Sequence, residues 1–279
     1  ADIFIWLEQV NSTRAMDLVG AENAKTSAVL EQDARYPVLY REALAIAQAQ
    51  DRIPQPNIIG GQIYNFWQDA THAHGLWRRT TLAEYRRPQG RWTPVLDLDA
   101  LSRVEKGNWF WGGAQCAQPA ERRCMISLSD GGEDAVTVRE FDLRSGKFVA
   151  GGFKLPSGKQ SLAWQDPDAL LVSREWSPGE LTKSGYPYIA KRLKRGQPLA
   201  AAQEIYRGTP EDVGVDPVTL HDGAGHQALM VRRYVSFFET EYRILTDHGL
   251  AKLGLPLKSG LLGLVSGRLI IELADDWKT

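Results

Sequence analysis

Val138-Arg-Glu-Phe-Asp-Leu-Arg-Ser-Gly-Lys147, Ala190-Lys-Arg-Leu-Lys-Arg-Gly-Gln197 and Tyr242-Arg-Ile-Leu-Thr-Asp-His-Gly249 share one plan. Each ends an apolar run, enters a short polar turn with Gly and starts a second run. Their anchors, Phe141, Leu193 and Leu245, recur every 52 positions. A period near 50 residues built from several short strands is that of a propeller blade. Trp164-Gln-Asp-Pro-Asp-Ala-Leu-Leu-Val172 fits the same unit as an inner strand, a turn and the next strand. About four such units fit between Gln62 and Thr279. The competing account is a chance spacing of hydrophobic strand ends.

Working outward, short alternating or β-branched runs bounded by Gly, Pro, Asp and Asn predict strands at Gly75–Thr80, Arg123–Leu128, Ala135–Phe141, Ala169–Ser173, Gln227–Tyr234, Glu241–Leu245 and Arg268–Leu273. The first sixty residues differ. Ser12 or Asn11 is placed to cap a helix with Ala15, Met16, Val19, Ala24, Ala28 and Val29 at helical spacing, and a second helical pattern runs from about Arg35 to Gln50. Ile53-Pro-Gln-Pro-Asn57 breaks it. The fold class expected is mainly β: a partial propeller of about four blades (61–279) preceded by an N-terminal helical arm (1–60).

Composition narrows the classes. Of 279 residues 43% are hydrophobic, enough for a buried core, and 33 basic against 34 acidic residues leave a net charge of −1. That balance gives no bulk field for nucleic acid or an anionic membrane. The longest apolar stretch, Leu261 to Leu273, is interrupted by Gly263, Ser266, Gly267 and Arg268, so no membrane helix is expected. Asp2 to Val10 lacks the basic flank and cleavage site of a signal peptide. Because the chain starts at Ala1, either its start was trimmed or it is a piece of a longer polypeptide. Cys116 and Cys124 flank the turn-like Gln118-Pro-Ala-Glu121, where a bridge and a pair of free thiols are both compatible with the spacing. The compartment, cytoplasmic or periplasmic, stays open.

Gln62-Ile-Tyr-Asn-Phe-Trp-Gln-Asp-Ala-Thr-His-Ala-His-Gly-Leu-Trp-Arg-Arg-Thr-Thr-Leu-Ala-Glu-Tyr85 resembles the start of the propeller in prolyl-oligopeptidase-like serine peptidases. The likeness extends to Trp6-Leu7-Glu8 and Ala21–Thr26 in the arm, although the usual Asp-Pro-Tyr lead-in is Asp2-Ile-Phe4 here. Trp92–Leu101, Cys124–Gly132, Asp134, Phe141-Asp-Leu143, Ala163-Trp164 and Leu181–Tyr186 resemble the successive blades. The resemblance implies a seven-bladed propeller capping an α/β-hydrolase domain, with the arm packed on the hydrolase and the propeller restricting entry to short peptides. It also implies that the catalytic Ser, Asp and His lie after the propeller. No Gly-x-Ser-x-Gly occurs in the 279 residues, so no catalytic residue is assigned in this chain and none is expected to cleave a peptide alone. An aromatic precedes the Ala-Trp pair in prolyl oligopeptidase itself. Gly158-Lys-Gln-Ser-Leu162 stands there instead, so the resemblance carries no proline preference.

The remaining constellations read as structure. His72-Ala-His74 sits on one strand face, but no further ligand completes a metal site, and no metal or cofactor is expected. His221-Asp-Gly-Ala-Gly-His226 has atoms for acid–base work in a sequence that makes a turn. Lys191–Arg195 reads as an exposed blade edge with Leu193 inward, and Gly112-Gly113 and Gly223-Ala-Gly225 read as turns rather than phosphate loops. Trp67, Trp77, Trp109, Trp111 and Trp164 are expected to fill space between blades, stacking platforms for a ligand being the alternative. Asp97 with Asp99, and Asp275 with Asp276, are turn acids rather than a glycosidase pair.

These observations support the propeller portion of a serine endopeptidase, gating short peptides into a catalytic domain outside the chain. A freestanding propeller that binds a peptide or protein partner is the alternative, and a carbohydrate-active propeller is a third. Uncovered blade and arm surfaces also predict self-association.

Overall fold

Phe141, Leu193 and Leu245 each fall on the third strand of a separate antiparallel sheet in the computed structural model, which describes residues 2–9, 12–49, 51, 53 and 55–277. The first sheet runs β1 (Asn57–Ile59), β2 (Gln62–Asp69), β3 (His72–Thr80) and β4 (Thr93–Asp97). The second has β5 (Trp109–Cys116), β6 (Arg123–Asp130), β7 (Thr137–Asp142) and β8 (Lys147–Phe148), with β9 (Lys154–Leu155) also on β7. The third has β10 (Gln160–Asp166), β11 (Ala169–Arg174), β12 (Ile189–Lys194) and β13 (Gln203–Arg207), and the fourth β14 (Gly214–His221), β15 (Gln227–Ser236), β16 (Glu239–Thr246) and β17 (Gly249–Lys252). A two-stranded sheet, β18 (Ser259–Val265) with β19 (Arg268–Leu273), follows. Four blades are thus complete, and a hairpin opens a fifth.

Successive sheets are joined by apolar layers, and the strand period explains how one strand serves two of them. Leu170 and Val172 on β11 face the second sheet with Met125, Val138, Leu155 and Trp164, while Leu171 between them faces the fourth with Ala163 and Leu229. Alternating side chains point to opposite faces, so a run that is apolar throughout marks a strand covered on both sides. Two of the five tryptophans fill these layers as expected, Trp77 at 3% exposure beside Tyr64 and Phe141 and Trp164 at 5% beside Phe153; Trp109 and Trp111 pack partly buried against the Trp77 layer, and Trp67 instead stacks with Arg78 outside it. Burying one such ring removes on the order of 200 Å² from water, worth roughly 5 kcal/mol before entropy is counted. Trp164 also donates its Nε1–H to Gln115 O at 2.9 Å, and Thr219 Oγ1 donates to Trp164 O at 2.6 Å, linking the first strands of three sheets.

Two expectations are corrected here. Lys191–Arg195 is not an exposed edge, because β12 lies between β11 and β13, although Leu193 does point inward at 3% exposure. Arg195, in the turn after β12, reaches the second sheet and donates through Nη1 and Nη2 to Glu140, at 2.7 and 3.1 Å. Glu140 is fully buried and accepts from Arg123 Nη1 and Phe153 N as well, so its charge is paired. Gly112-Gly113 is not a turn but a bulge inside β5, where the register slips between Trp111 and Gly113. A Cβ at Gly112 would stand 3.0 Å from Ser127 Cβ, and Gly113 has φ +120°, so both positions favour glycine.

The chain divides into two units, residues 1–53 with 69–71 and residues 54–68 with 72–279. Within the first, α1 (Thr13–Leu30) is capped by Ser12, whose Oγ accepts from Ala15 N, and α2 (Tyr36–Ala47) starts with Pro37 in its first turn. Asn11 and Gln50 lie outside the described residues. No helix among the described residues is long and apolar enough to cross a membrane. In the second unit α3 (Leu82–Tyr85) and α4 (Leu98–Glu105) connect strands.

Candidate functional site

A serine–histidine–aspartate grouping does occur, and its geometry argues against catalysis. His74, on β3, places Nδ1 3.2 Å from Ser102 Oγ on α4. Asp99 is close by, but its carboxylate accepts the backbone N–H of His74 and Gly75 rather than the imidazole. Ser102 is buried and its Oγ accepts Trp109 N at 3.1 Å. A triad needs the acid on one ring nitrogen and the hydroxyl on the other, with the hydroxyl free to attack. Here the side chains instead tie β3, α4 and β5 together. Asp97 likewise caps α4 by accepting Ala100 N.

His226 and Asp222 form a 2.6 Å pair in the turn between β14 and β15, as the turn reading anticipates. Burial pushes the Asp222 carboxyl upward, but hydrogen bonds from Ala224 N, the His226 ring and Gly267 N outweigh it and hold the acid well below the usual carboxylate range. Such an acid accepts no proton at neutral pH. Asp222 instead fastens the β14–β15 turn to the β18–β19 turn through Gly267 N at 2.9 Å. Among the described residues no three metal-ligating side chains converge.

The concave features lie elsewhere. One cavity of about 460 Å³ opens between the Ser184–Pro187 loop of the third sheet and β14 and β15 of the fourth, lined by Tyr186, Pro187, Val213, Val215, Tyr234 and Phe237 among others. Strand register builds its polar corner. Asp216 pairs with Arg232 and Gly214 with Tyr234, which brings Tyr234 OH and Arg232 Nη2 to Asp216 Oδ2 at 3.2 and 3.3 Å. Burial, reinforced by the Asp216 charge, pushes the Tyr234 phenol up to about 12, so it stays a neutral donor. The rim residue Phe237 is 87% exposed, and Phe238 beside it is exposed too. This arrangement suits an apolar side chain flanked by hydrogen-bonding groups. Ser184 and Ser236 stand on the cavity wall, but no histidine among the described residues lines it to activate either hydroxyl.

Two further cavities, of about 470 and 210 Å³, share Cys116 and Gln118 and follow the first strands of the sheets. Cys116 and Cys124 are bridged, standing directly opposite one another on β5 and β6. The loop between them carries Glu121, whose Oε2 accepts Gly60 N from the first sheet. His221 lines the smaller cavity with Arg232, and burial pulls its pKa down despite the opposing pull of Asp222 and Glu121.

The two cavities along the first strands take in Trp77, Trp111, Trp164 and His221, which the sequence did single out, whereas none of the residues lining the cavity of about 460 Å³ was singled out from sequence as a site. Two adjacent phenylalanines at a hairpin tip, Phe237-Phe238, are the one local signal that points there, since exposed paired aromatics have no structural use in a turn.

Residues 1–220 match the family described as prolyl oligopeptidase, N-terminal beta-propeller domain. An uncharacterized peptidase of Sinorhizobium fredii is 43% identical over 278 residues, covering 98% of this chain and 38% of that protein. An uncharacterized peptidase of Rickettsia prowazekii is 28% identical over 287 residues, covering 98% of this chain and 40% of that protein. The solved structure of a post-proline cleaving enzyme from Rickettsia typhi matches with a TM-score of 0.89 and 26% identity, over 98% of this chain and 41% of that one. Oligopeptidase B from Leishmania major, at 12% identity and a TM-score of 0.73 over 97% of this chain and 37% of that one, shares the fold. The chain spans about two-fifths of the length of the curated relatives it matches.

Proposed function

We propose, from the premise that this chain belongs to the prolyl oligopeptidase family through its N-terminal β-propeller, that it is the gating part of a serine peptidase. It admits short peptides to an α/β-hydrolase domain carried by a longer polypeptide. One observation carries this reading. The serine, histidine and aspartate side chains that approach one another here are committed to holding strands, whereas one open feature is an apolar cavity with Tyr234 and Asp216 on its wall, Asp216 being paired behind it with Arg232. A chain so built recognises and filters a peptide; bond cleavage needs an activated nucleophile and an oxyanion site from elsewhere.

In this reading the arm, residues 1–60, covers its apolar side chains against the hydrolase domain. Met16, Val19, Leu39 and Ile46 are exposed on α1 and α2, which supports a partner surface of that kind. The isolated chain, lacking such cover, self-associates.

The test compares hydrolysis by this chain, by the longer product of the same reading frame, and by that product with residues 61–279 excised. The substrates are a short chromogenic peptide and a folded protein. The chain alone is expected to release no product, the longer product to cleave only the peptide, and the excised form to lose size discrimination. Turnover by the chain alone, or equal cleavage of folded protein with the propeller present, would refute the proposal.

A further inference from the structure

Cys116 and Cys124 close the loop at the tip of the β5–β6 hairpin, and that loop reaches across to the first sheet. Glu121 Oε2 accepts Gly60 N, in the turn between β1 and β2, at 2.6 Å. The bond lies beside the cavity of about 470 Å³ whose wall includes Ile59, Trp77, Trp111, Cys116 and Glu121 itself. Glu121 sits at φ +48°, a left-handed conformation that a residue with a Cβ disfavours. It persists because the loop around it is closed. Glu121 N donates to Ala117 O and Ala117 N to Arg123 O, both at 2.8 Å, Gln118 Nε2 donates to Glu121 Oε1, and the bridge ties the two strands at the base of the loop. Of these closures the bridge is the one that a chemical reaction can open.

The two sulfurs differ in access. Cys124 is 0% exposed, whereas Cys116 is half-buried and stands on the walls of both cavities along the first strands. A cavity of about 470 Å³ admits a small molecule and not a folded domain. An incoming thiolate of low molecular weight therefore meets Cys116 first.

We propose that the Cys116–Cys124 bridge is an exchange site for a low-molecular-weight thiol, attacked at Cys116, and that its redox state decides whether Glu121 holds the first sheet. The thiolate attacks Cys116 Sγ, the S–S bond breaks, and Cys124 leaves as a thiolate that takes up the proton the attacking thiol gave up. A second thiol then displaces Cys116 from the mixed disulfide, so two small thiols become one disulfide and the bridge becomes two cysteines. With the base of the loop open, Glu121 relaxes out of its left-handed pose and lets go of Gly60. Every residue of this latch lies in the first two sheets, so it stands apart from the peptide-gating reading.

The test uses the 279-residue chain with dithiothreitol as the thiol and no denaturant. Acid quenching followed by alkylation in denaturant should count two thiols where the untreated chain shows none. Amide hydrogen exchange read by NMR should show the protection of Gly60 falling by roughly tenfold or more on reduction, with the amides of β11 and β15 unchanged. Glu121→Ala should give the low Gly60 protection in both redox states, and Cys116→Ser with Cys124→Ser should match the reduced chain. A bridge that resists dithiothreitol until the sheets unfold overturns the exchange site. Gly60 protection indifferent to reduction, a redox difference that survives Glu121→Ala, or a loss of protection shared with β11 and β15 overturns the latch.

Discussion

The helical arm and the sheets solve burial in opposite ways. Among the described residues between 2 and 49 the one buried side chain is Ala15, although α1 and α2 carry Met16, Leu18, Val19, Leu39, Leu44 and Ile46. The second, third and fourth sheets, in contrast, hide residues on both faces against their neighbours, and even Glu140 is enclosed with partners for its charge. The sheets hold their own core. The arm's apolar residues contribute to stability only when something outside its helices covers them, so the same Leu has a different worth in the two regions.

The largest effect that would sharpen this contrast is expected from Phe141→Ala. Phe141 is 1% exposed and packs against Trp77 and Phe148, so its loss should cost about 3–5 kcal/mol and lower the melting temperature of the sheets steeply in calorimetry. A loss below about 1 kcal/mol would mean that the repeat anchor is not a core residue.

Acid is expected to act next, and selectively. The buried Glu140 carboxyl is pushed up by desolvation, yet bonds from Arg195, Phe153 N and Arg123 bring it below its ordinary value; burial of Asp142 is likewise outweighed by Arg122 and the amides of Ser145 and Arg144, leaving it at about 2. Both folded values are depressed. Their stabilisation is therefore present above the unfolded carboxylate range near pH 4 and lost as pH falls through it towards about 2. Near-ultraviolet circular dichroism between pH 5 and 2 should report loss of the tryptophan environment, and Glu140→Gln should flatten that transition while lowering stability at pH 7 by roughly 2–4 kcal/mol. A flat profile in wild type would show that these carboxylates are not tied up in the folded sheets.

The smallest effect belongs to the arm. Leu39→Ala, at a residue 59% exposed, should change the stability of this chain by less than about 0.5 kcal/mol by denaturant titration, in contrast with Phe141. A large loss would show that the arm is covered within this chain or its oligomer.

What could be read in the sequence follows the same divide. Strand positions and the blade period were legible because burial on both faces leaves an apolar mark on the chain, as at Leu170-Leu171-Val172. The Gly112-Gly113 bulge was misread because local preference for glycine is the same in a turn and in a bulge, and only the register with β6 separates them. Arg195 was misread for a different reason. Its partner Glu140 lies 55 positions away, and no local pattern encodes a bond across two sheets. The cavity beside Tyr234 escaped notice for that reason too, since its walls come from the Ser184–Pro187 loop and from β14 and β15.

The second and third sheets are joined at separated points, among them Trp164 Nε1 to Gln115 O, Gln160 Nε2 to Val136 O, and Arg195 to Glu140 on the third strand of the second sheet. A plate fixed at two points still hinges about the line between them; a third bond off that line stops the hinge. These two sheets are therefore held as one rigid pair, with the spacing between their first strands fixed.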